Sequence, residues 1–427
     1  MRYVSTRGEV RSVDFEGALF SGYALDGGLF VPQEIPTLDY NTLRTWSAFP
    51  YPELVKELSS LFISSELIPR KELNDLTYSA FRRFRHNHVV HLARLKDGLN
   101  VLELWHGVTY AFKDLSLSCT GQFLQYFLKK RKQHITILVA DGNSDEIDEP
   151  IKELVADADF ARQHNLMSLN SINWSRIMVQ IAHYFYAYFQ CTPSMDMTPL
   201  PAVEIVVPTG GGGNITAEYI AQKMGLPIRL VAVVNKNNDS MHRAIQHGDF
   251  SFSGSVKPTL ASAMDIQEPY NMERILWLLS DCDGSLIKTL MEQFYTSKHL
   301  TLSEEVQRKL SEALSSCSAS DEDIVQAMRR CWEDNHYLLC PHSAVAVHYH
   351  YQQLDCHVSN RPRCCLAPAS AAKFPDAVLR VKLVPEVPPD IQALKAMETR
   401  STTLRREDDW AKTLRDRIEA IAMRRHT

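Results

Sequence analysis

Lys113 has the setting of a reactive amine. It lies in the stretch VLELWHGVTYAFKDLSLS at residues 101–118, where a short apolar run meets His106 and Gly107 and turns into a helix at Ala111-Phe112-Lys113-Asp114. A lysine at a helix start, with aromatic Phe112 before it, can be partly desolvated and lose its proton, as an amine that forms a Schiff base must. From this stretch alone, a solvated lysine on a first turn is an equal alternative.

A second feature lies about a hundred residues on. Residues 202–234 read as a βαβ unit: a strand over 202–207, the turn Pro208-Thr209-Gly210-Gly211-Gly212-Gly213-Asn214, a helix to Met224, Gly225 closing it, and a strand over 228–234. The crossover is expected to be right-handed. Four successive glycines leave backbone N–H groups free to converge on an anion, and the helix N-terminus adds the positive end of its dipole. The run lacks both the Gly-Lys-Ser/Thr ending of a nucleotide triphosphate loop and the Gly-x-Gly-x-x-Gly spacing, so a nucleotide is disfavoured. A phosphate site and a flexible turn remain. An amine able to bond a carbonyl, together with a separate phosphate cradle, is the pair that pyridoxal 5′-phosphate requires.

Residues His106-Gly107-Val108-Thr109-Tyr110-Ala111-Phe112-Lys113-Asp114 resemble the lysine motif of threonine synthases, His-Gly-Pro-Thr-x-Ala-Phe-Lys-Asp. The resemblance recurs in Asp26-Gly27-Gly28-Leu29-Phe30-Val31-Pro32, in Asn170-Ser171-Ile172-Asn173-Trp174, in the glycine run and in Met264-Asp265-Ile266-Gln267, and it extends from residue 1 to about residue 380. It implies an α/β protein of the fold type II pyridoxal-phosphate class, tryptophan synthase beta-like, with two open α/β domains of which the smaller is truncated. The implied division is an N-terminal domain over 1–100, a large cofactor domain over 101–113 and 191–380, a small domain over 114–190, and a helical extension over 381–427.

The same resemblance implies roles for single residues. Lys113 carries the cofactor with Phe112 beside it, Gly210, Gly211, Gly212, Gly213 and Asn214 hold its phosphate, and Ser370 stands nearest to its pyridine nitrogen. Asn170, Ser171, Asn173 and Arg176 hold the phosphate of the substrate, a small phosphorylated amino acid. Capping roles for the Asn and Ser residues, and a solvated Arg176, are the plain structural alternatives. His342 reads as a satisfied core histidine, with a site residue as the alternative. The activity implied for animal members of the family is a phospho-lyase acting on O-phosphohomoserine and perhaps on O-phosphothreonine, releasing phosphate, 2-oxobutanoate and ammonia.

Two departures bear on turnover. The apolar run His134–Ala140 reads as a buried parallel strand, yet the chain passes at once into Asp141-Gly142-Asn143-Ser144-Asp145-Glu146. The family's Ser-Gly-Asp-Thr-Gly loop, which holds the substrate carboxylate, is missing with the elements after it, on the order of fifty residues. Asp141, Asp145, Glu146, Asp148 and Glu149 would repel a carboxylate. Pro368 also stands where the family has a hydroxyl, leaving Ser370 as the nearest substitute. A second reading follows, of a non-catalytic protein that keeps the scaffold and acts through protein contacts, in signalling and even outside the cell. Loss of a helix and a strand from a small sheet also implies self-association.

The remaining elements position these groups. At 427 residues, 45% of them hydrophobic and 23% charged, the chain is long enough for two or three soluble domains. A net charge of −5 argues against nucleic acid as the main ligand. Nine cysteines without regular spacing read as reduced thiols and not as a zinc site or disulfide frame. The N-terminus lacks a secretory apolar core and no run approaches membrane-spanning length, so a cytosolic protein is expected, with unconventional secretion as the alternative. Residues 1–32 read as short strands and turns, and 52–85 as two amphipathic helices. Asp114 reads as an N-cap, Pro150 as a helix start, and Trp174–Phe189 as a buried helix. Residues 270–335 read as solvated helices, 340–346 as the start of another, 364–370 as a buried strand with its exit loop, and 403–424 as a charged helix.

Overall fold

Short, buried runs rich in valine, leucine and cysteine build the middle of the central sheet in the computed structural model, which describes every residue except 141, 143, 237, 238, 253, 357–360, 400 and 427 and omits the side chains of 144, 425 and 426. Ten strands occur among the described residues: β1 (Tyr3–Ser5), β2 (Phe30–Pro32), β3 (His91–Arg94), β4 (Leu99–Glu103), β5 (Val203–Pro208), β6 (Ile228–Asn235), β7 (Asp249–Ser251), β8 (His299–Thr301), β9 (Leu314–Ala319) and β10 (Arg363–Ala367). The main sheet has the order β3-β4-β10-β5-β6-β9, while β1-β2 and β7-β8 form two small antiparallel pairs. Within the main sheet only β3 runs antiparallel to its neighbour.

The register decides where the chemistry falls. Leu102 stands opposite Leu366, and Cys365 opposite both Val101 and Val206, so β4, β10 and β5 end together at one edge. In an open parallel sheet, the loops leaving the carboxyl ends of adjacent strands are where ligands bind. Here those loops carry Lys113, Ser370 and the four glycines, which sequence order keeps far apart.

Helices cover both faces. The expected βαβ unit forms with its Gly213–Lys223 helix, and Gly225 follows the helix end at φ +102°. The Trp174–Cys191 helix is buried over most of its circumference, as its apolar composition requires, and packs with Phe15, Phe62 and Phe123 in the larger core. The Tyr51–Phe62 and Arg70–Ala80 helices are the expected amphipathic pair.

Several expectations fail for local reasons. Residues 134–140 join none of the sheets, and Ile137, Leu138 and Val139 are exposed. A strand needs a neighbour, and among the described residues there is no strand between Glu103 and Val203. The helix read from Pro150 begins at Ser144 and contains Pro150. Its first turn is anchored where the Asp145 carboxylate accepts the Gln267 N–H at 2.7 Å, which offsets the bond that proline removes. Phe15–Ser21 is a helix with Asp14 as its cap. The polar run Leu314–Ala319 is a strand, because pairing with β6 at the sheet edge overrides weak propensity. The last helix starts at Trp410.

Candidate active site

The loop between β4 and the Lys113–Arg131 helix is clamped along its length. Tyr110 takes φ +56° and turns Thr109 back onto Asp114, whose carboxylate accepts from the Thr109 N–H at 2.7 Å and the Thr109 hydroxyl at 2.8 Å. Asp114 is therefore not the expected N-cap: its carboxylate is spent inside the loop, and the helix begins at Lys113 with Phe112 preceding it. A Cβ at Gly107 would lie 2.4 Å from the Asp114 side chain, so this turn needs glycine. Phe112 packs partly buried against the core, and its N–H donates to the Pro368 carbonyl at 2.7 Å. Ser370 N–H donates to the Tyr110 carbonyl at 3.1 Å, and Lys373 Nζ to the Thr109 carbonyl at 2.7 Å. The lysine loop and the β10 exit loop thus form one unit with Lys113 at its exposed end. Ser370 is buried, and its hydroxyl accepts from the Ala372 N–H at 3.3 Å.

His342 links this unit to the glycine run. It is buried, and burial, followed by the charges of Lys113 and Lys373, pushes its imidazole down to about 3, so it is neutral at physiological pH. Nε2 accepts the Ala263 N–H at 3.1 Å, which leaves the proton on Nδ1, and Nδ1 has no hydrogen-bond partner among the described residues. His342 is therefore buried, as expected of a core histidine, but not satisfied. Met264, next to Ala263, lies against the first glycine: a Cβ at Gly210 would stand 2.9 Å from the Met264 carbonyl oxygen.

The glycines are held as tightly. A Cβ at Gly211 would lie 2.7 Å from the Tyr270 ring, Gly212 has φ +78°, and a Cβ at Gly213 would lie 3.1 Å from Ser171 Cβ. The Asn271 N–H donates to the Gly211 carbonyl at 3.0 Å. Asn214 braces the turn, accepting from the Thr209 hydroxyl at 2.6 Å and donating to the Pro208 carbonyl at 2.8 Å. Gly212 caps the Gly213–Lys223 helix; the Ile215 N–H donates to Asn214 Oδ1 at 3.0 Å, which leaves the Gly213 and Asn214 amides as first-turn donors with no preceding helical carbonyl to bond.

The Asn170–Arg176 segment closes on the same place. Ser171 touches Gly213 and donates to the Tyr270 hydroxyl at 3.3 Å, while exposed Asn170 accepts the Ser171 N–H at 2.8 Å. Arg176 is buried, donates from Nε to Ser116 Oγ at 2.6 Å and from Nη1 to the Leu169 carbonyl at 3.0 Å, and forms no ion pair among the described residues. Burial lowers it to about 10, against the pull of Tyr270, which still leaves it charged. Asn173 departs from the expectation. Both amide protons are committed, to the Leu19 and Ser168 carbonyls, and its oxygen caps the Trp174–Cys191 helix, so it positions the loop and has no donor left for a phosphate.

Sequence reasoning missed Ser116, Tyr270, Asn271 and Arg274. Ser116 lies three residues after Lys113, a helical spacing that could have placed it on the same face. Arg274 is buried and donates to the carbonyl of Phe30 at 3.0 Å and to those of Ser171 and Ile172 and the Asn271 side chain, locking the Asn170 loop to β2. It lies in a stretch read as solvated, and nothing in its spacing signals burial.

The donor set fits pyridoxal phosphate: an amine and a glycine-lined helix start leave one sheet edge, with an orphaned imidazole N–H between them. This defines a pyridoxal-phosphate protein of the fold type II α/β class. Residues 2–81 match the family described as threonine synthase N terminus, 131–361 the pyridoxal-phosphate dependent enzyme family, and 343–416 the threonine synthase C-terminal family. The chain is 58% identical to threonine synthase-like 2 of Homo sapiens, covering 99% of this chain and 98% of that protein, and 30% identical to threonine synthase of Pseudomonas aeruginosa over 95% of this chain and 96% of that one. Among solved structures, it is similar to a PLP-bound threonine synthase from Brucella melitensis, with TM-score 0.86 and 28% identity over 98% and 99% of the two chains, and to the yeast enzyme with TM-score 0.85 and 28% identity. The chain belongs to the threonine synthase family of pyridoxal-phosphate-dependent enzymes. The human alignment spans 473 positions against 427 residues here, so the relative has residues without a counterpart in this chain. Among the described residues, no helix is long and apolar enough to cross a membrane.

Proposed function

We propose that this chain is a phospho-lyase acting on O-phosphohomoserine, eliminating phosphate and, with one water, giving 2-oxobutanoate and ammonia. The observation that carries this reading is Arg176: a buried guanidinium with no carboxylate partner among the described residues, tied to the first helical turn after Lys113, is a second anion site beside the same amine. One phosphate belongs to the cofactor at Gly210–Asn214. The other belongs to the substrate at Asn170, Ser171 and Arg176, with Asn173 holding the loop.

When bound, pyridoxal phosphate supplies the electron sink that lets a proton leave the substrate Cα. Lys113 Nζ takes that proton and, because the phosphate is on Cγ, a second one from Cβ must also leave so that the Cβ–Cγ double bond forms as the Cγ–O bond breaks; each transfer requires the accepting base to be uncharged at that moment. Arg176 holds the departing phosphate, and its charge balances the charge that builds on the leaving oxygen. Ser370, in the β10 exit loop, would be the residue to meet the pyridine nitrogen of the bound cofactor. The sequence near residues 140–150 carries no counterpart of the family's Ser-Gly-Asp-Thr-Gly holder of the substrate carboxylate, which on this reading slows turnover.

The test is phosphate release from O-phosphohomoserine by the cofactor-loaded protein. Release abolished in Lys113→Ala supports the reading. Bound cofactor with no release from this substrate ends the phospho-lyase claim and leaves cofactor binding standing.

A further inference from the structure

We infer that residues Ile137–Val139 are a homotypic docking strand, through which two copies of this chain pair antiparallel about a two-fold axis at Leu138. The run Ile137-Leu138-Val139 has the composition of a buried strand and is exposed at 59%, 46% and 87%, outside every sheet of the described residues. Two β-branched residues flank a leucine, so pairing with another extended segment suits it and solvent does not. Alternation puts Ile137 and Val139 on one face, and an antiparallel partner centred on Leu138 sets Ile137 against Val139 of the second copy.

Charge selects the second copy and the antiparallel sense. The segment before the run ends in exposed Lys129, Lys130 and Lys132, while the helix after it carries exposed Glu149 and, paired to Arg406 at 2.9 Å, Glu146. An antiparallel pair brings the basic end of each copy to the acidic end of the other, whereas a parallel pair sets like charges together. The contact is isologous and closes on itself, giving a dimer and not a fibre. It is independent of the proposed reaction, because none of these residues belongs to the site.

Sedimentation of the full-length, cofactor-loaded protein across the micromolar range tests this. The expected result is a species of twice the 48.6 kDa chain mass that weakens as salt rises. Leu138→Lys with Val139→Lys, both on exposed positions, is expected to raise the dimer dissociation constant at least about tenfold. Mild oxidation gives the geometry in a Cys282→Ser, Cys356→Ser background, which removes the exposed thiols among the described residues. Leu138→Cys is expected to cross-link to itself and Gln133→Cys is not, since two-fold pairing holds residue 133 of the copies far apart. A monomer at all concentrations overturns the proposal, as does a dimer unchanged by the lysine pair. Equal cross-linking at both positions overturns the antiparallel register.

Discussion

Arg176 donates from Nε to the Ser116 hydroxyl at 2.6 Å, and Ser116 lies three residues along the helix from Lys113. Through that bond, the guanidinium is fixed relative to the amine by a helical turn, while Nη1 is held by the Leu169 carbonyl of the preceding loop at 3.0 Å.

That relationship gives the first prediction. Inorganic phosphate should raise the melting temperature of the protein, because a ligand that binds only the folded state stabilises it by mass action. In Arg176→Gln the residual stabilisation should be that of the glycine cradle alone, and KM for a phosphorylated substrate should rise about tenfold or more. A thermal-shift titration checks it; an identical phosphate response in the variant would contradict the assignment of Arg176.

Gly210 has no room for a methyl group, since a Cβ there would meet the Met264 carbonyl oxygen at 2.9 Å and Met264 Cα at 3.0 Å, both backbone. Gly210→Ala should cost about 1–3 kcal/mol in chemical denaturation, the range for overpacking, and should lower cofactor retention by displacing the turn. Gly121, with open space around its Cβ position, is the control, and Gly121→Ala should leave both unchanged or add slightly to helix stability.

Asp148 gives a pH signature. Burial, opposed by Lys152 and reinforced by Glu268 and Asp145, raises its carboxyl to about 6. The folded state therefore holds this proton more tightly than the unfolded chain, and stability falls as pH rises from about 4 through 6. Asp148→Asn should remove a destabilisation on the order of 2 kcal/mol at pH 7.5 and change little at pH 4. Denaturation at the two pH values measures it, and an equal effect at both would show that Asp148 titrates normally.

Much of the site was legible in the sequence because it rests on local signals. Gly210–Gly213 between two apolar runs and a lysine after His106-Gly107 are patterns that need no tertiary information. Asp114 and Asn173 were readable as polar groups at helix starts, but not the partners that consume them, since Thr109 reaches Asp114 only through the positive φ of Tyr110, and Leu19 and Ser168 reach Asn173 only in the folded chain. Burial of Arg176 and Arg274 was equally hidden, because hydrophobic periodicity places charged residues outside. The run 134–140 failed in the opposite sense: its composition is that of a strand, but strand formation depends on a neighbour that the described residues do not supply.

The attachment of the cofactor is the point on which the site stands. Reduction of the cofactor-loaded protein with borohydride, followed by peptide mapping by mass spectrometry, reads it directly. A pyridoxyl-phosphate adduct on Lys113 is the expected result; an adduct on another lysine, or none from protein saturated with cofactor, would contradict the account.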